Sequence, residues 1–425
     1  MTRPSDREAA ATPKSARPPR GAPGAGGPSP PRAGQSALRV PAPALGLLAA
    51  PAALSANTAT MTLPAISDDL GVSVGAATWI ATAFGLLMAV CTPPAAELLK
   101  RRGVRTAVLV GAALVTAGTV LVVAAGSLPV LVAGRGAQAV GGSCLVTTAI
   151  NLAGTPRRMG AVTAGSGLLG ALGPLTGGLL TEHVSWHAAL SPSILAVLAV
   201  PGVLRAAPKP PERDAHAPFD TAGAAVLTAM ISALVFVPRF PVPALICAAV
   251  IGAALAARVR SRPNGFVPAT VLRTPVFLGV SVLVCALSTS YFSLLYTVPR
   301  VLEEDGGWDP GAVGTAILVA LLVGSAASWL LAASSPRMSR AMVLAVLLAL
   351  GALAPIAAAV TPWAALMLVA AGVSVFVSSS GQATLSVYAA NSVPDAQRPI
   401  TLALFTLCYQ LGGAFGPALS ALLIT

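Results

Sequence analysis

Carboxylates are scarce in this chain. Only 14 of 425 residues are Asp or Glu, and none stands near the middle of a long apolar stretch. Charged residues of both signs make up 9%. A water-soluble domain carries roughly 25%, so an ordinary soluble fold is excluded. No Ser–His or paired-carboxylate arrangement points to hydrolytic or acid–base catalysis, and no enzyme activity is expected. His183 and His187 are four residues apart beside Glu182 but have no third ligand in sequence. Neither a metal nor another cofactor is therefore expected. The five cysteines (Cys91, Cys144, Cys247, Cys285, Cys408) all fall in apolar stretches, which reads as buried free thiols rather than disulfides.

What is abundant is apolar. Hydrophobic residues reach 55% and the mean hydropathy is +0.81. The net charge of +12 is spread over short loops and a tail, so nucleic acid is not an expected partner. Residues 1–40 are rich in Pro, Gly, Ser and Arg with few large apolar side chains, the composition of a disordered tail. No signal peptide is evident in it. Thirteen apolar stretches follow, at 41–64, 75–98, 104–126, 128–153, 159–181, 187–206, 219–238, 241–257, 275–298, 311–333, 341–360, 362–390 and 399–424. In lipid only helices and closed barrels satisfy the backbone, and runs this long and unalternating predict helices. With the tail placed inside, 23 of the 26 Lys and Arg fall on the tail side, including Lys100, Arg101, Arg102 and Arg105 after the second stretch. That asymmetry predicts a cytoplasmic amino terminus.

Two features organise the rest. The fifth stretch carries Gly170-Ala-Leu-Gly173-Pro174-Leu-Thr-Gly177-Gly178, whose four-residue glycine spacing lets a neighbouring backbone approach closely while Pro174 bends the helix. The G-x-G-x-x-G string at Gly165, Gly167 and Gly170 follows no strand, so a dinucleotide site is not expected. The second feature is a repeat. Pro64-x3-Asp68-Asp69-x-Gly71 returns as Pro299-x3-Glu303-Glu304-x-Gly306, and the glycine–proline string returns as Gly413-Ala-Phe-Gly416-Pro417. Stretches 1–6 and 9 onward thus read as two copies, with stretches 7 and 8 inserted. The expected division is a tail over 1–40, a six-helix bundle over 41–206, a linker with two helices over 207–262, and a second bundle over 263–425. That second bundle has five stretches, so its sixth is either beyond Thr425 or not used.

On these motifs the chain resembles the major facilitator superfamily, and within it the fourteen-span drug:proton antiporters. Trp79-x2-Thr82-x-Phe84 opens the second stretch, and Arg135-Gly-Ala-Gln138-x2-Gly141-Gly142 lies in the fourth, both similar to family elements. The resemblance implies an all-α, two-bundle membrane protein, here of about thirteen transmembrane helices by the stretches counted above. It implies export of drugs or secondary metabolites by alternating access, with the glycine–proline helix (Gly170, Gly173, Pro174, Gly177, Gly178, and Gly413, Gly416, Pro417 in the repeat) in the hinge between bundles. Proton coupling belongs to the family, where the arginine at position 135 is implicated. Two departures bear on it: Ser55 stands where the family has an Asp, and Lys100 where the loop after the second stretch has one. Glu97, Lys100, Arg101 and Gly103 form that loop here, and Glu97 is the acid placed to substitute. An uncoupled facilitator, or a non-transporting sensor or scaffold, remains the alternative reading.

The expected pathway residues are Arg135, Gln138, Ser55, Asn57, Gln382, Tyr409 and Gln410. Arg135 and Gln138 are three apart on one helix face, about 10 Å into the stretch, where an ionised side chain needs water or partners. Asn57, Gln382 and Gln410 are uncharged side chains that are difficult to hide in lipid. A lone cation without a central carboxylate predicts neutral or anionic amphipathic substrates. A monomer in the inner membrane, with the bilayer as its other partner, completes the expectation.

Overall fold

A computed structural model describes residues 40–423 except 78, 208–219, 238–239, 264, 305 and 361–362. The tail therefore lies outside the described residues up to residue 39. The helices are α1 Ala42–Leu70, α2 Val74–Ala77, α3 Trp79–Val123, α4 Leu128–Ala153, α5 Pro156–Ala171, α6 Gly173–His183, α7 Trp186–Ala189, α8 Val200–Ala206, α9 Thr221–Val235, α10 Pro241–Ser261, α11 Ala269–Arg273, α12 Pro275–Glu304, α13 Pro310–Ser334, α14 Arg340–Val360, α15 Ala364–Asn391 and α16 Arg398–Leu423. No strand occurs among the described residues.

Helix is found in every apolar stretch, but not always as one uninterrupted helix. Among the described residues, six helices are long and apolar enough to cross a membrane, or seven if the two arms of α1 form one span. That measure does not reach the expected thirteen, and the reasons are local. Two expected spans run together in α3, whose only non-helical residue is Gly103 at φ 80°, a left-handed conformation that glycine adopts without strain. The fifth stretch breaks at Leu172, between α5 and α6, just before Gly173 and Pro174. The sixth is assembled from α7, a 3-10 segment Pro192–Ala199 and α8. In α4, Arg135, Gln138 and four glycines dilute the hydropathy of an otherwise apolar helix. A bend of 61° divides α1 between Ala59 and Met61. Pro64 explains it, since its ring clashes with the carbonyl four residues back.

The apolar core is divided unevenly. At the end bearing the basic loops, Val40, Leu99, Met159 and Val203 of the first half form one buried cluster with Ala332, Ala383 and Leu402 of the second. At the opposite end two separate clusters form. Ala59, Ile66, Ile80, Leu131, Trp186 and Leu190 belong to the first half, and Leu294, Val298, Leu302, Ile317 and Met367 to the second. The two halves thus share one buried cluster at the basic-loop end, while at the other each has its own, and Ala171 of α5 is the first-half side chain that packs against the second half's.

The helix pair α9–α10 is held by one carboxylate. Asp220 caps α9 by accepting from the Gly223 amide at 3.0 Å, and also accepts from Arg258 Nη2 of α10 at 2.6 Å and the Phe266 amide at 3.2 Å. Leu227, Ile231, Leu255 and Phe266 then pack against Phe277, Val280 and Val284 of α12 and Ala89 of α3. Nothing in the expected site list anticipated Asp220. Its signal was the helix-capping position directly before Thr221.

A cavity between the two halves

The repeat is visible in contacts. On α6, a side chain at Gly173 would collide with Asn57 of α1, and one at Gly177 would lie 2.5 Å from the Thr58 carbonyl oxygen. On α16, a Cβ at Gly416 would lie 2.5 Å from the Phe292 Cβ and 2.7 Å from the Ser293 amide of α12. Asn57 and Thr58 relate to Phe292 and Ser293 by the offset of 235 residues that relates Pro64 to Pro299. Gly173 and Gly416 are therefore equivalent, and they do equivalent work.

That work differs from the expected hinge in one respect. Gly173 and Gly177 press on α1 of their own half, and nothing stands within 4 Å of where a Gly178 side chain would begin. Contact with the other half comes from a different face of the same stretch. A Cβ on Gly160 would meet Ala332 at 2.5 Å, and one on Gly167 would meet Ser325 Oγ at 2.7 Å. Spacing alone could not assign these faces, because several glycine pairs share the helical period. Pro174 sits half-buried at the helix break, and the Pro417 side chain lies outside the described residues.

Between the halves is a cavity of about 360 Å³. Its walls come from α1 (Ala49, Ala53, Asn57), α3 (Phe84, Gly85, Met88), α5 (Thr163, Ser166, Gly167, Gly170), α12 (Tyr291, Phe292), α15 (Val375, Ser379, Gln382) and α16 (Thr406, Tyr409, Gln410, Gly413). The volume falls within the range of small-molecule sites, and apolar walls with a few polar side chains suit an amphipathic guest. Among the described residues, no carboxylate, amine, guanidinium or imidazole lines it. Four expected pathway residues are here: Asn57, Gln382, Tyr409 and Gln410. Asn57 Nδ2 donates to the Gly170 carbonyl at 2.9 Å, and the buried Oε1 of Gln410 has no hydrogen-bond partner. Phe84, Met88 and Phe292 belong to the same wall and were not among the expected site residues. Phe84 and Met88 lie four apart on α3, a spacing equally consistent with ordinary core.

The other three expected pathway residues sit together, but away from the cavity. Arg135, Gln138 and Ser55 are all fully buried. Arg135 Nη1 donates to Ser55 Oγ and Gln138 Oε1 at 2.9 Å each and to the Leu190 carbonyl at 3.4 Å, while Nη2 donates to the Ser55 carbonyl at 2.9 Å. Gln138 Nε2 donates to Thr119 Oγ1 and the Leu190 carbonyl. This network ties α1, α3 and α4 to Leu190, the residue that ends α7. Every acceptor is neutral, and the Phe84 ring covers the guanidinium with its centroid 4.2 Å from Cζ. Phe84 is thus the side chain shared by the buried network and the cavity wall.

Elsewhere the expected groups do simpler things. Arg101 Nε donates to Glu97 at 2.5 Å, a pair one helical turn apart, and Lys100 is exposed. On α12, Ser288 and Thr289, which were not among the expected pathway residues, both donate to the Cys285 carbonyl of their own helix. His187 stacks on Trp186 at 3.5 Å, with its Nε2 3.3 Å from the Ala125 carbonyl. No group of three metal-ligating side chains occurs among the described residues.

Comparison with known proteins agrees with this architecture. A family model described as Major Facilitator Superfamily matches residues 45–417. An uncharacterized transporter of this superfamily from Bacillus subtilis, YvkA, is 24% identical over 300 residues, covering 67% of each chain. The tetracenomycin C resistance and export protein of Streptomyces glaucescens is 27% identical over 286 residues, 63% of this chain and 53% of that one. The multidrug resistance protein Stp of Mycobacterium tuberculosis is 24% identical over 283 residues, covering 62% and 53%. The chain thus aligns with about half to two thirds of these relatives' lengths. Among solved structures, the human organic anion transporter MFSD10 (TETRAN) superposes with a TM-score of 0.62 at 16% identity, covering 92% of this chain and 94% of that one, a likeness of fold. The chain is a multi-pass, nearly all-helical membrane protein and belongs to the Major Facilitator Superfamily.

Proposed function

We propose that this protein exports a small amphipathic molecule, a drug or a secondary metabolite, by alternating access through the cavity between its halves. The carrying observation is the cavity itself, bounded by both halves, with one buried cluster shared between them at the basic-loop end and a buried cluster of its own for each half at the other. With the basic loops cytoplasmic, this is the conformation closed toward the cell interior. The units that rock are residues 41–206 and 263–425, joined by the linker and helix pair of 207–262. The relatives named for tetracenomycin export and multidrug resistance support the direction and the class of cargo.

Cargo that is neutral or anionic follows from a wall without carboxylates beside a buried cation. Coupling to protons through the cavity would require a titratable group there. Glu97, buried at the loop end of α3 and paired with Arg101, is the acid left for that role. The reading favoured here is therefore a facilitator driven by the gradient of its own substrate. Efflux from a strain lacking its own pumps tests export, using paired neutral, anionic and cationic dyes. Reconstituted vesicles with and without an imposed pH gradient test coupling: equal rates are expected, and a gradient-dependent rate abolished by Glu97→Gln would restore the antiporter reading.

A further inference from the structure

We propose that Phe84 is an aromatic shutter between the cavity and a hidden carboxylate-binding point on Arg135, which makes the preferred substrate an organic anion. This rests on the reading of the cavity as the substrate site, and goes beyond it by naming the group that recognises the charge.

Arg135 is fully buried, and its partners are a hydroxyl, an amide oxygen and two backbone carbonyls. Such acceptors solvate a guanidinium, but they do not neutralise it. A buried cation without a counter-ion is unstable relative to the same cation beside an anion. The guanidinium also has donors to spare. Nε has no acceptor, and Nη2 has one acceptor for its two hydrogens. Nε and Nη2 form the edge on which a carboxylate docks side-on through two parallel hydrogen bonds. A pin whose sole task was to join α1 to α4 would have no use for that edge.

Among the described partners of Arg135, the Phe84 ring is the one that also lines the cavity wall. It lies over the guanidinium at 4.2 Å and lines the cavity beside Gly85 and Met88. Arginine attracts the face of an aromatic ring, so Phe84 is a partial surrogate for the missing anion. A carboxylate is a better partner than a ring quadrupole. An organic anion entering the cavity displaces the ring, takes the Nε–Nη2 edge and leaves its apolar body against Met88 and Phe292. A neutral analogue of the same shape has no reason to turn the ring.

The test compares binding of pyrenebutanoate and its isosteric primary amide to the full-length protein in nanodiscs, read as the ratio of their dissociation constants. The wild type is expected to favour the carboxylate. Phe84→Leu, which removes the shutter but keeps an apolar side chain, is expected to widen that preference about tenfold, and Arg135→Gln to collapse it in either background. Should Arg135→Gln not fold, Phe84→Leu against Phe84→Trp decides, because both retain the cation: opening must widen the preference and bulk must narrow it. Equal binding of the two probes, or Phe84 variants that weaken both alike, overturns the shutter and leaves the cavity as a substrate site. Binding of neither probe to any variant overturns both readings.

Discussion

In the first half of the molecule Gly173 and Gly177 press α6 against Asn57 and Thr58. In the second, Gly416 presses α16 against Phe292 and Ser293, the equivalent positions of α12. Behind this shared contact the halves part. Ser55 accepts from Arg135 at 2.9 Å and donates toward the Leu190 carbonyl at 3.5 Å. Ser290, which the 235-residue offset makes its counterpart, has a buried hydroxyl with no partner. Close backbone approach is what both halves need to bring their first and fifth helices together. The polar filling behind it is free to differ, and among the described residues Arg135 of the first half is the fully buried cation.

The comparison breaks first at the glycines. Gly177→Val puts a Cβ 2.5 Å from the Thr58 carbonyl and 2.9 Å from its Cα, both backbone atoms that cannot swing aside. The expected cost is about 3 kcal/mol or more, read as a fall in thermal midpoint in detergent. Gly416→Val meets Phe292 and Ser293 as closely and should cost a similar amount; a harmless Gly416→Val would mean that the halves are not packed alike. Asp220 comes next, in the inserted helix pair that neither half repeats. Asp220→Asn should cost about 1–3 kcal/mol by weakening charge-assisted hydrogen bonds to Arg258 and two amides.

That carboxyl, at the α9 cap outside the membrane-spanning segments, is held down to about 2, chiefly by the Arg258 hydrogen bond and further by the amides of Gly223 and Phe266. Because its pKa is depressed on folding, the contribution is complete above the unfolded value of roughly 4 and disappears as pH falls through about 2. The stability gap between wild type and Asp220→Asn should accordingly close on acidification over that window.

Smaller effects sharpen the contrast between the serines. Ser55→Ala removes an acceptor from Arg135 and should cost about 1–2 kcal/mol. Ser290→Ala removes a hydroxyl with no partner and should be neutral or slightly stabilising within about 0.5 kcal/mol. Equal losses at the two sites would refute the asymmetry. Opposite in sign to the other glycine changes is Gly178→Ala, which meets nothing within 4 Å and should gain about 0.5–1 kcal/mol from helix propensity. It is the control that separates crowding from helix formation along one glycine string.

Much of the fold was legible in the chain, and particular residues show why. Glycine spacing at 173 and 177 announced a close approach, and the duplicated Pro64 and Pro299 signatures announced two copies. Asn57, Gln382, Tyr409 and Gln410 were singled out as uncharged polar groups within apolar runs, and all four line the cavity. Arg135 was equally conspicuous, yet it stands behind Phe84 rather than in the cavity wall. The helix count was blurred by Gly103, Leu172 and the 3-10 segment, where backbone geometry joins or divides runs that look uniform in hydropathy. Asp220 escaped notice because its importance depends on Arg258 and Phe266, 38 and 46 residues away.

By composition and local period alone, the chain determined that it is helical and lipid-embedded, that it is duplicated, and that its centre is poor in acid. Those properties depend on transfer from water and on neighbours within one helical turn, and both are written in consecutive residues. Only the tertiary structure decided which glycines meet their own half and which meet the other, that the halves share a buried cluster at the basic-loop end, and that one aromatic ring both covers the cation and lines the cavity. These depend on how far each helix is rotated about its own axis and bent at its prolines, and that is set by side chains packed against it from distant parts of the chain.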